Sequence, residues 1–73
     1  MANGLTDRQK EIFVFIRHFL SEHGFPPTIR ETATFFHIAP ASVLGHLHAL
    51  ETKGFIRRER AKSRCLEILK EAA

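Results

Sequence analysis

Five cations crowd into residues 57–64: Arg57, Arg58, Arg60, Lys62 and Arg64, with Glu59 the only acid among them. This segment carries +4 while the whole chain carries +3, so the remainder is close to neutral. Charge gathered in one place suits docking on a polyanion better than general solubility. Guanidinium and ammonium groups on a short hairpin bind phosphate oxygens, contacts that carry no sequence code. A solvated charge run is the ordinary reading of isolated Lys and Arg. It is the weaker one here, because a candidate reading helix lies next to the cations.

The other reactive residue types do not assemble. Of the five histidines, His18 and His23 fall on the first predicted helix and His37 in a turn. His46 and His48 are two apart and so diverge by about 200° on a helix. No cysteine or carboxylate completes a ligand set at zinc spacing, so neither metal nor cofactor is expected. His46 is expected to edge the core. The single cysteine, Cys65, cannot close an internal disulfide, which fits a reducing compartment. There is no nucleophile–base pair, carboxylate pair or phosphate-binding loop, and we expect neither an enzyme nor a small-molecule substrate. The opening residues, Met1 to Arg8, form no apolar signal region. The longest apolar run, Ile12 to Ile16, is too short to span a bilayer. The expected location is the cytoplasm, with no membrane partner.

Seventy-three residues make one small domain, 1–73, whose core is marginal in size. Thr6-Asp7-Arg8-Gln9 reads as a capping box opening helix 1, about 7–23, with Ile12, Ile16, Phe19 and Leu20 at helical spacing and Gly24 as a left-handed stop. Phe25-Pro26-Pro27 is a stiff connector. Thr28-Ile29-Arg30-Glu31 is a second capping box and opens helix 2, about 29–36, with Ile29, Thr32, Ala33 and Phe36 inward. Of Phe35 and Phe36 only one can fully face the core, and the other is expected to pack locally on Phe25 or helix 1. Helix 3 begins at Ala39-Pro40, buries Val43, Leu47 and Leu50, and ends at Lys53-Gly54. Short strands are expected over Phe55 to Arg58 and Cys65 to Leu69, with a hairpin over 59–64. Either Arg57 or Arg58 is expected to face outward, with pairing to Glu59 or Glu67. The order is mainly α with a small β-hairpin: a three-helix winged helix-turn-helix.

In that fold the outer face of the third helix enters the major groove, led by its N-terminal residues. Turning 100° per residue from Leu47 places Ala41, Gly45, His48 and Thr52 outward, with Ser42 and Ala49 flanking. Small side chains at 41, 42 and 45 let a helix sit deep. Ser42 suits a base edge or a phosphate, and Ala41 and Leu44 suit a thymine methyl. His48 is expected beside phosphates, and Arg60, Lys62 and Arg64 on the backbone, with salt-dependent affinity. Thr28 and Arg30 at the start of helix 2, and Lys53 at the end of helix 3, complete the expected DNA-binding set. The rival reading is a winged helix used for protein interaction or dimerisation, with Phe35 and helix 1 as the contact surface.

Several strings resemble the N-terminal DNA-binding domain of LexA-type SOS-response repressors. They are Leu5-Thr6-Asp7-Arg8-Gln9, Gly24-Phe25-Pro26-Pro27-Thr28-Ile29-Arg30-Glu31, Gly45-His46-Leu47, Leu50 through Arg58, and Ser63-Arg64-Cys65-Leu66-Glu67-Ile68-Leu69. The resemblance covers nearly the whole chain. It implies a three-helix winged fold that binds operator duplex DNA as a dimer, represses transcription and works on the bacterial nucleoid. Three departures stand out. The turn before helix 3 is about one residue shorter than in similar sequences. His37 stands where glycine is usual. The residues opening the reading helix, Pro40 to Leu44, differ from the usual polar set. The family's second half, which supplies dimerisation and self-cleavage, lies outside these residues. The chain is accordingly expected to be an excised domain or a stand-alone relative that needs a dimerisation partner.

Overall fold

The computed structural model describes residues 4–59 and 66–69. The elements are α1 (Asp7–His23), α2 (Ile29–Phe36), α3 (Pro40–Thr52), β1 (Ile56–Arg58) and β2 (Leu66–Ile68). The strands pair antiparallel, with Ile56 opposite Ile68, Arg57 opposite Glu67 and Arg58 opposite Leu66. This is the mainly helical, winged arrangement expected from the sequence. The hairpin tip and Cys65 lie outside the described residues.

Both capping boxes form. Thr6 Oγ1 accepts the Gln9 amide at 3.2 Å and Gln9 Oε1 accepts the Thr6 amide at 3.1 Å. Thr28 Oγ1 accepts from Glu31 N at 3.0 Å and Glu31 Oε1 from Thr28 N at 2.9 Å. Each box satisfies two amides that a helix start otherwise leaves without partners.

The two later helices stop in the same way. Past α2, Ile38 N donates to Ala33 O and His37 N to Thr34 O; past α3, Phe55 N donates to Leu50 O and Gly54 N to Glu51 O. Each is a paired backbone bond around a left-handed residue. Gly54 supplies φ 84° at the second stop, but His37 supplies φ 58° at the first. A side chain in that region is strained, and histidine tolerates it better than most. The turn after α2 therefore takes its left-handed residue without a glycine.

The core joins all three helices to β1: Leu5, Ile12, Phe13, Ile16, Ala33, Val43, Leu47, Leu50, Phe55 and Ile56 are buried. Phe13 meets Phe55 edge-to-face with centroids 5.5 Å apart, a favoured aromatic geometry. Phe19 and Leu20, expected inward, are half-buried, and Phe13 takes the deeper place. Thr32 is 2% exposed, yet its hydroxyl donates to Thr28 O at 2.9 Å, which offsets the cost of burying it.

Neither member of the Phe35-Phe36 pair is fully buried. Phe36 is half-buried, while Phe35 is 60% exposed and stacks on Phe15 with centroids 4.4 Å apart. The expected packing on helix 1 is present, and it leaves an aromatic ridge between α1 and α2. Lys53 closes the far side of the molecule: Nζ donates to Gly4 O at 2.6 Å and to Gln9 Oε1 at 3.0 Å. Among the described residues no helix is long and apolar enough to cross a membrane.

Candidate nucleic-acid interface

Helix α3 shows two faces. Val43, Leu47 and Leu50 are buried, and Ala41, Ser42, Leu44, Gly45, His48 and Thr52 are exposed. The phasing anchored on Leu47 therefore holds along the helix. Leu44 lies nearest the buried side of this set and is still 42% exposed, a large apolar side chain facing water among small neighbours. His46 is half-buried.

Gly45 faces open space. A Cβ added there would meet nothing within 4 Å, so no packing against α2 requires glycine. Glycine inside a helix costs roughly 0.5–1 kcal/mol relative to alanine.

The start of α3 is also unlike the other two. Ala39 is the residue before the helix and provides no side-chain cap, and Pro40 occupies the first turn. The helix N-terminus carries partial positive charge and amide donors, so an end without its own cap favours an anion. Ser42 N and Val43 N both donate to Ala39 O, at 2.9 and 3.2 Å. The exposed small residues and this end form one continuous surface.

The remaining expected contacts divide. Arg30 is exposed on the first turn of α2, while the Thr28 hydroxyl is engaged in the capping box. Lys53 lies just past the opposite end of α3 from the open turn, and its ammonium is held by Gly4 and Gln9. Arg57 is exposed and pairs with Glu67 across the hairpin, as the sequence suggested. Arg58 reaches a different element: its Nη1 lies 3.6 Å from Glu51 Oε1 on α3. That partner was missed. Two long charged side chains seven positions apart on different elements leave no periodic signal. Arg60, Lys62 and Arg64 lie outside the described residues. Among the described residues no cluster of three His, Cys, Asp or Glu side chains could hold a metal ion.

Comparison with known proteins agrees with this geometry. The family described as the LexA DNA binding domain matches residues 2–65. The LexA repressor of Thermotoga maritima is 47% identical over 66 residues, covering 90% of this chain and 34% of that protein. The LexA repressor of Pseudothermotoga lettingae is 42% identical over 69 residues, with 94% and 34% covered. That of Leptospira interrogans is 38% identical over 68 residues, with 93% and 34% covered. The chain thus spans about a third of the length of the curated relatives it matches. The matched stretch holds all three helices and β1, and the chain belongs to the LexA DNA-binding domain family: it is a domain that binds DNA.

Proposed function

We propose that residues 1–73 act as one domain that reads an operator duplex for a transcriptional repressor, by binding alone and without turnover. The N-terminal half of α3 enters the major groove, with Ala41, Ser42, Leu44 and Gly45 at the base edges and His48 and Thr52 toward the groove walls. Thr28 and Arg30 flank the groove at the start of α2. Arg60, Lys62 and Arg64 engage phosphates. Lys53 stays with Gly4 and Gln9 and helps DNA binding only by holding α3. Two copies bind a two-part site, joined by a dimerisation element beyond these residues, in the cytoplasm on the bacterial nucleoid.

The observation that carries this reading is the open space over Gly45 beside an uncapped helix start. A helix surface of this kind admits close approach, which base-edge contacts need.

Selection of bound sequences from a random duplex pool tests it. A recurring motif is expected, and its half-site spacing gives the dimer geometry. Failure to enrich any motif, with no duplex bound even at low salt, would instead support a protein-interaction module.

A further inference from the structure

Arg57 and Arg58 are neighbours with opposite surroundings. Strand alternation sends Arg57 outward to Glu67, its cross-strand partner. Arg58 shares its side of β1 with the buried Ile56. Its guanidinium meets Glu51 at 3.6 Å, and the two side chains are only 13% and 16% exposed. Arg58 ends β1, and Glu51 lies in the last turn of α3. The pair therefore spans the junction from which the chain departs toward Arg60, Lys62 and Arg64. A charge pair withdrawn from water adds little stability over an apolar pair of similar volume. It does tie the two elements together, because parting them would leave two charges largely withdrawn from water without each other.

We propose that Glu51 and Arg58 are positioning residues for DNA binding. They hold β1 against the last turn of α3, so that the three cations following in sequence engage the duplex while α3 lies in its groove. Neither residue touches DNA. The inference rests on the interface proposed above.

The test titrates the selected operator with the whole chain over a range of salt. Each variant is made in the natural sequence and in a background with Arg60, Lys62 and Arg64 all changed to Ala. Glu51→Gln raises the net charge by one, and simple electrostatics would tighten binding. Positioning predicts the reverse: roughly fivefold to tenfold weaker binding in the natural sequence, with a salt slope lower by about one unit. In the triple-Ala background the same change should alter affinity by less than about twofold, since the groups it positions are gone. Arg58→Lys keeps the charge but changes the length and shape of the group that reaches Glu51, and it replaces Glu51→Gln if that variant does not melt cooperatively. Its expected loss is about threefold with the same background dependence. Unchanged or tighter binding by Glu51→Gln, or equal losses in both backgrounds, overturns the proposal. A triple-Ala protein with natural affinity and slope marks a different failure, that of the interface itself, and removes the proposal with it.

Discussion

At its first turn α3 presents Pro40, Ala41 and Ser42 to solvent and takes no side-chain cap. At and just past its last turn it is tied on two sides, to β1 through Glu51 and Arg58 and to the start of the chain through Lys53. The apolar side chains Val43, Leu47 and Leu50 run between these ends and fix the helix to the core. The contrast teaches how a small domain can present a helix to a ligand. Anchorage is gathered at the end that stays with the protein, and the other end is kept short of partners and of bulk. Small residues at 41, 42 and 45 leave that end clear, Gly45 at some cost in helix stability.

The strongest way to break this contrast is to fill the open end. Gly45→Leu is expected to lower operator affinity to the non-specific level, a loss on the order of a thousandfold, with the melting temperature held. Gly45→Ala should keep or raise stability, by up to about 1 kcal/mol, and lose part of the affinity. Thermal melts and DNA titrations on the two variants decide it. A lower melting temperature for Gly45→Ala would mean the position is packed, and full affinity in Gly45→Leu would place the interface elsewhere.

Next in size is removal of the wing charge. Replacing Arg60, Lys62 and Arg64 together by Ala should weaken binding to every duplex by about tenfold to a hundredfold. The slope of log affinity on log salt should fall by about one unit for each lost phosphate contact. A loss confined to the selected operator would give these residues a sequence-reading role instead.

A smaller change sharpens the comparison between the helix starts. Ala39 has the extended backbone of a capping residue, with φ −69° and ψ 147°. Ala39→Asp should therefore supply the missing cap and raise stability by about 1 kcal/mol. The same carboxylate would compete with phosphate at that end, and affinity should fall roughly threefold to tenfold. Stability and affinity moving together would show that the open end has no bearing on DNA.

The least effect on binding is expected at the anchored end. Lys53→Met should alter operator affinity by less than about twofold and cost below about 1 kcal/mol of stability, since its bonds are solvent-exposed. A tenfold loss of affinity would put the Lys53 ammonium on the duplex.

Much of the scaffold was legible because it is written locally. The boxes at 6–9 and 28–31, the stop at Gly54 and the stripe Val43, Leu47, Leu50 are all encoded within a turn or two. The exposed face of α3 followed from the same periodicity. What escaped was decided by tertiary approach. Arg58 could be assigned a strand partner from sequence, but its turn toward Glu51 depends on how β1 crosses α3. The engagement of Lys53 depends on where Gly4 and Gln9 arrive from the other end of the chain. Only the crossing of α1 and α2 reveals that Phe35 stacks on Phe15. The inward place of Thr32 was legible from its spacing, but the hydroxyl bond to the Thr28 carbonyl that makes it tolerable there was not.

Lys53 reaches back 49 positions to Gly4 and 44 to Gln9, and this imposes an order on the chain as it is made. Its ammonium reaches the first capping box only after every helix has been synthesised. A growing chain can form the local Thr6–Gln9 bonds early, but contacts between residues so far apart wait for loop closure. Until α3 docks, the beginning of α1 is a fraying end. The Gln9 and Lys10 amides should therefore gain lasting protection from exchange together with those of α3, and later than the middle of their own helix.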